Sequence, residues 1–208
     1  MDGFSIDVQI PILQGEGDSP ADTCRAIARA AEGFGAYFQV RRPDLLVVLG
    51  DRYETFAACA AAVSACVPIA HLSGGETTEG AMDECFRHCI TKISYLHFTA
   101  AEAYRKRVIQ LGEDPARVFC VGELGVENAL HEEFFSPEEL EAGLAFPLFR
   151  KPYVVTTFHP VTLEPNSAAR QVDELLSAIA DRPDLNFLIT KSNADTGGRE
   201  INAKLDEF

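Results

Sequence analysis

The run LLVVLGDRYE, residues 45–54, decides how the chain reads. Leu and Val in unbroken succession, closing on Gly50, form the pattern of a strand buried on both faces of a parallel sheet. Pro43 and Asp44 lead into it, an alanine-rich helix follows over about 54–66, and PIAHL at 68–72 reads as a second strand. The alternation extends both ways from there. Upstream, after an irregular opening, residues 21–40 carry Ile27, Ala30, Ala31 and Phe34 at helical spacing, with Asp18, Ser19 or Pro20 as the start. Downstream come a helix over about 81–94, a strand at 96–99, a helix at 101–111, the strand VFCVG at 118–122 and a short helix from about Val126. Strands alternating with helices predict a doubly wound α/β layer with a mainly parallel sheet, which binds ligands beyond the carboxyl ends of its strands.

Between His131 and Lys151 the pattern loosens into HEEFFSPEELEAGLAFPLFRK, with two prolines and a short helix at 137–142, as expected of a connection between domains. A new cycle then begins: the strand YVVTTFHP (153–160), a helix at 169–180, the strand NFLIT (186–190) and the loop SNADTGG (192–198), which opens towards a last helix. A lone βαβ unit has too few neighbouring strands to bury both faces, so the natural chain is expected to continue past Phe208.

Composition excludes several classes. With 208 residues and 47% hydrophobic content the chain can bury a core and does not read as disordered. A net charge of -14, with 18 scattered Lys and Arg, argues against a nucleic-acid surface but not against a small anionic ligand, which needs only a local positive spot. The N-terminus has no basic start followed by an apolar run, and no stretch reaches about 18 uninterrupted apolar residues, so no membrane association is expected and the protein is predicted to be soluble and cytoplasmic. The six cysteines form no Cys-x-x-Cys pair and read as small, buried, reduced side chains. Cys85, His88 and Cys89 share a helix face, but a fourth ligand is not apparent, so no metal is expected.

Three loops fall directly after strands. In 50–54 an acid adjoins a base ahead of a helix, so Asp51 is either a proton-transfer group, with Arg52 pairing a phosphate, or a helix cap. In SGGETTEG (73–80) the glycines Gly74 and Gly75 allow a sharp turn and close backbone approach to a ligand. Glu76 follows them, and Asp83 opens the next helix as either a site residue or a dipole-compensating acid. Arg87 and His88, about a turn further on, face either a carboxylate or the ligand, the alternative being a buried, paired Arg. In the third loop, 157–160, His159 sits before Pro160, which favours a fixed turn. His71 and His97, within apolar strands, read as packed and hydrogen-bonded. Asn193 is either a donor to a phosphate or sugar hydroxyl, or plain turn chemistry.

Taken in order, VVLGDRYETFAA, IAHLSGGETTEGAMDECFRHCITKISYLHFTAAEAYRKRVIQLG, FHPVT and SNADTGG resemble the hydrolysing UDP-N-acetylglucosamine 2-epimerases of sialic acid biosynthesis. They are equally similar to the relatives in legionaminic acid biosynthesis that act on UDP-N,N'-diacetylbacillosamine. The resemblance covers essentially the whole chain. It implies a GT-B-like two-domain Rossmann-type architecture, with residues 1–145 as most of the N-terminal domain, 146–208 as the start of the C-terminal one, and the sugar nucleotide held in a cleft between the domains. The usual first strand is expected before Met1. It also implies anti elimination of UDP to a glycal followed by hydration, no metal or nicotinamide cofactor, and a homo-oligomer, dimer or tetramer.

By the same resemblance, Asp51 and Asp83 match carboxylates assigned to proton transfer, Arg52 matches a substrate-binding arginine, and His159 and Asn193 match residues at the nucleotide, His159 counted with the catalytic set. Several relatives carry a catalytic Glu immediately before the paired glycines, where this chain has Ser73, so Glu76 is expected to take part or the chemistry to lean on Asp51 and Asp83 alone. The Gly-Asp-Arg-x-Glu form favours the hydrolysing branch. No Gly-x-Gly-x-x-Gly follows a strand, which disfavours a redox Rossmann enzyme. A non-catalytic sugar-nucleotide-binding module and a GT-B glycosyltransferase are the alternatives.

Overall fold

A computed structural model describes residues 3, 5–14, 17, 19–164 and 166–208. It divides into two compact units, Met1–Ala129 and Leu130–Phe208. The connecting segment belongs to the second unit: the Phe149 N–H donates to Glu141 Oε1 (2.8 Å), and Asn186 Nδ2 donates to the carbonyls of Pro147 (3.1 Å) and Leu148 (2.7 Å).

In the first unit α1 (Pro20–Val40) precedes β1 (Leu46–Leu49), α2 (Tyr53–Ser64), β2 (Ile69–Leu72), α3 (Asp83–Ile93), β3 (Leu96–Thr99), α4 (Glu102–Gln110), β4 (Val118–Cys120) and α5 (Leu124–His131). Of the starts named for α1, Ser19 is the cap and Pro20 the first helical residue, while Asp18 lies outside the described residues. Ser19 and Asp22 form a reciprocal capping box, and α2 stops where Cys66 adopts a left-handed conformation.

The four strands are parallel and run in chain order, β1-β2-β3-β4. Without a reversal of order, right-handed crossovers return on one side, so α2, α3 and α4 share a face of this sheet and none of the described crossovers winds the other. The register places Val48, His71, His97 and Val118 in one row across the helix-covered face, all buried. One position along, Leu49, Leu72, Phe98 and Phe119 line the opposite face, where Leu49 and Phe119 are exposed. The core joins Phe38 of α1, Cys59, Ala61 and Ala62 of α2, Ile69 of β2 and Ile90 of α3. Alanines in α2 let α1 approach closely, which is why that helix is so poor in large side chains.

Expected cysteine burial is corrected: Cys59 alone is buried, and Cys24, Cys66, Cys85, Cys89 and Cys120 are exposed. Helical phase explains two of them, since α3 buries Asp83, Arg87, Ile90 and Thr91 and so turns Cys85 and Cys89 outward.

The second unit holds α6 (Pro137–Leu144), β5 (Tyr153–Thr157), α7 (Ala168–Ala180), β6 (Asn186–Thr190) and α8 (Gly198–Glu207). Strands β5 and β6 pair in parallel, and Val172, Leu176 and Ile179 of α7 pack with Ile201 of α8. Among the described residues no helix is long and apolar enough to cross a membrane.

Ile69 is fully enclosed, whereas Val63 on α2 is exposed. Urea unfolding should therefore show Ile69→Ala costing about 2–5 kcal/mol through the cavity it leaves. Val63→Ala should stay within about 0.5 kcal/mol of the parent.

Candidate active site

Two loops meet at the carboxyl edge of the first sheet, those that follow β1 and β2. Gly50, at φ +77°, turns the chain out of β1, and Asp51 follows. Ser73 leaves β2 in a left-handed conformation, φ +62°, that costs a non-glycine residue about 1–3 kcal/mol unless its surroundings hold it. Here they do: its N–H donates to Phe98 O (2.9 Å) and its carbonyl accepts from Arg87 (2.8 Å). The paired glycines have separate reasons. A Cβ on Gly74 would lie 3.0 Å from His71 Nδ1 and 3.1 Å from Thr91 Oγ1, and one on Gly75 would lie 2.5 Å from the carbonyl of Tyr104. Close approach to the protein's own interior is a reason for glycine at both positions.

Arg87 gathers the site. It projects from the buried face of α3, only 5% exposed, and its guanidinium donates to Asp51 Oδ2, Thr78 Oγ1 (2.9 Å), Glu76 Oε2 (3.3 Å) and the Ser73 carbonyl. Asp51 is thus no helix cap, and Arg52 takes the N-cap position of α2. A guanidinium whose two terminal nitrogens are bonded to four protein acceptors is a buried, paired arginine that positions the two carboxylates.

Glu76 feels this setting most. Burial pushes its carboxyl above the ordinary value, Arg87 pulls it back, and the charges of Glu123 and Asp51 push it up again, leaving it raised. Asp83 opens α3 and is buried, 8% exposed, on the same helix face as Arg87. His88 turns to Glu84 (Nε2 to Oε1, 3.0 Å), whose other oxygen accepts from Thr78 N–H (2.8 Å); it braces the loop from outside and does not meet Asp51 or Glu76. Arg52 donates to Glu54 (3.3 Å) and lies over the Tyr53 ring.

His159 and Asn193 lie together in the second unit. The Asn193 N–H donates to His159 Nδ1 (3.3 Å), with Ser192 Oγ at the same distance, so Nδ1 is the acceptor and the exposed ring carries its hydrogen on Nε2. The Asn193 side chain closes an Asx turn with Asp195, donating to Oδ2 (2.7 Å) and accepting from its N–H (3.2 Å). Asn202 of α8 clamps Ser192 through both of its backbone groups. Sequence reasoning missed Thr78, Glu123 and Ser192. Thr78 lies inside a singled-out loop and Glu123 directly after a strand and a glycine, so position alone was the available signal. Among the described residues no group of three or more His, Cys, Asp or Glu side chains is placed to hold a metal ion.

Two predictions follow from the charges. Replacing Arg87 by Leu leaves two carboxylates without their shared cation. Urea unfolding should show a loss of about 3–5 kcal/mol at neutral pH that shrinks as acid protonates them. The second concerns His71, which burial holds down to about 4 from 6.5. A depressed histidine contributes stability that is whole above pH 6.5 and is lost as pH falls towards 4, because only the unfolded chain takes up the proton. The stability advantage of the parent over His71→Gln should narrow by about 3 kcal/mol between pH 7 and 4.

The family model described as UDP-N-acetylglucosamine 2-epimerase matches residues 1–208. The chain is 36% identical over 205 residues to a Campylobacter jejuni protein named GDP/UDP-N,N'-diacetylbacillosamine 2-epimerase (hydrolyzing), covering 99% of this chain and 53% of the relative. It is 47% identical over 176 residues to polysialic acid biosynthesis protein P7 of Escherichia coli, covering 84% and 44%. The chain thus spans about half the length of the relatives it matches. Among solved structures, UDP-GlcNAc 2-epimerase from Neisseria meningitidis bound to UDP-GlcNAc superposes with a TM-score of 0.72 over 92% of this chain and 53% of its own, at 18% identity, so the GT-B-like α/β fold is shared. Fold, motif order and the family match together place this chain in the UDP-N-acetylglucosamine 2-epimerase family.

Proposed function

We propose that the enzyme containing this chain is a hydrolysing 2-epimerase that converts UDP-N-acetylglucosamine to N-acetylmannosamine and UDP. The observation that carries this reading is one buried guanidinium joined to two carboxylates, Asp51 and Glu76, beyond adjacent strands. The two acids stand in unlike surroundings. A reaction that removes a proton from one face of a carbon and returns it to the other requires such a difference.

In the first half a carboxylate takes the C2 proton, the C1–O bond breaks, and its electron pair leaves on the diphosphate of UDP, giving a glycal. In the second half the oxygen of water adds at C1, its proton passing to a carboxylate, and an acid delivers a proton to C2 from the opposite face. Asp51, ion-paired with Arg87, is the base, and Glu76, whose carboxyl burial raises above its ordinary value, is the acid. Asp83 completes the carboxylate set. Arg52 serves the phosphates, His159 and Asn193 serve the nucleotide, and Gly74 and Gly75 shape the loop that bears Glu76. Residues 1–145 and 146–208 are read as most of one domain and the start of another. The enzyme is read as cytoplasmic and homo-oligomeric, a dimer or tetramer, on the resemblance to its family. A second reading, hydrolysis of UDP-N,N'-diacetylbacillosamine with the same chemistry, draws on the Campylobacter jejuni relative, which matches nearly the whole chain.

The test is proton NMR in D2O of UDP-N-acetylglucosamine with the enzyme in its full natural reading frame. Free N-acetylmannosamine carrying deuterium at C2 is expected, with Asp51→Asn slower by about 100-fold or more. Absence of UDP release and of exchange with either sugar nucleotide would sink the reading, and product from the diacetamido substrate alone would select the second.

A further inference from the structure

We propose that His71 is a positioning residue for Asp51: it anchors the carbonyl of Gly50, and with it the peptide that aims the Asp51 side chain. The inference rests on the proposed function in taking Asp51 as a working carboxylate.

His71 lies in the middle of β2, wholly inaccessible, where an apolar side chain would pack at less cost. Both ring nitrogens are used. Nε2 lies 2.8 Å from the Gly50 carbonyl, which can only accept, so the ring donates there and carries its hydrogen on Nε2. Nδ1 is then an acceptor, and Thr91 Oγ1, 3.2 Å away, is its donor. One neutral tautomer satisfies both bonds.

Gly50 needs this anchor. Its N–H is the last ladder bond of β1, donated to Leu72 O (3.1 Å), and its φ of +77° turns the chain away from the sheet directly before Asp51. A glycine in that region has the widest conformational freedom of any residue, so the direction of the following peptide is set by what holds its carbonyl. The imidazole also favours glycine at position 74, where a Cβ would crowd the His71–Thr91 pair at 3.0–3.1 Å.

Thr91 and Arg87 stand one turn apart on the buried face of α3. Helix α3 therefore grips Asp51 twice: through Arg87 on its carboxylate, and through Thr91, His71 and Gly50 on its backbone. Removing the first grip changes charge. Removing the second changes only aim.

The experiment compares His71→Met, which fills similar volume without a donor, with His71→Gln, whose amide nitrogen reaches the place of Nε2, in the full-length enzyme. For His71→Met, kcat for UDP release should fall about 100-fold, as for a misplacement of roughly 1 Å, while KM and the calorimetric affinity for UDP stay within about twofold. His71→Gln should recover most of the loss. The proposal is overturned if His71→Met keeps its kcat, if UDP affinity falls in step with kcat, or if Gln is no better than Met. Should His71→Met not fold, Thr91→Val tests the same chain of bonds, with a lower kcat at unchanged KM expected and parental kinetics contradicting it. If the unaltered enzyme neither releases UDP nor exchanges C2, the proposed function fails on its own. The inference is then decided by the carboxyl 13C resonance of Asp51, which should move in His71→Met and stay in His71→Gln; a resonance unmoved in both would overturn it.

Discussion

Everything in the first unit's site hangs on the burial of one guanidinium. Arg87 is a cation almost wholly withdrawn from water, a state that costs several kcal/mol unless acceptors surround it. The fold meets that demand with two carboxylates, a hydroxyl and a backbone carbonyl drawn from two loops. Each acceptor is thereby placed. The strained Ser73 is held by the same contact, and Asp51 is turned across the sheet edge instead of down onto its own helix.

The electrostatic consequence is asymmetry between neighbouring acids. Both are bonded to the guanidinium, but burial and the charges of Glu123 and Asp51 raise the Glu76 carboxyl above its ordinary value. A chain with a net charge of -14 needs no general positive field for this, because the decisive charge is a single internal one. The same helix that supplies it, α3, supplies Asp83, Thr91 and the outer brace of Glu84 and His88. Its four buried positions lie on one stripe, so helical periodicity is what brings the ion pair and the His71 anchor to the same side.

How much of this the chain discloses in advance depends on the reach of each interaction. Strand runs such as LLVVLG and PIAHL and the glycine turns that end them are local patterns, and the observed elements fall within a few residues of the expected ones. Asp51 and Glu76 were readable as candidates because strand ends in parallel sheets are where ligands bind, and Asp83 because it opens the helix that follows. The pairing of Arg87 was not readable. Asp51 is 36 residues away, and nothing local separates a guanidinium that meets a ligand from one that meets the protein. The paired glycines show the same limit: a Gly-Gly turn reads as room for a ligand, yet these two leave room for His71, Thr91 and Tyr104. Cysteines on the outward faces of α1 and α3 escaped for a different reason, since small side chains are tolerated on either side of a helix.

Arg87 and Asp51 act as one unit, and a double-mutant cycle measures how strongly each depends on the other. Unfolding free energies of the parent, Arg87→Leu, Asp51→Asn and the double variant give the coupling between the two side chains. A coupling of about 2–3 kcal/mol is expected, the upper part of the range seen for groups in one buried network. Additivity within about 0.5 kcal/mol would contradict it, because two residues that hold each other cannot be removed independently.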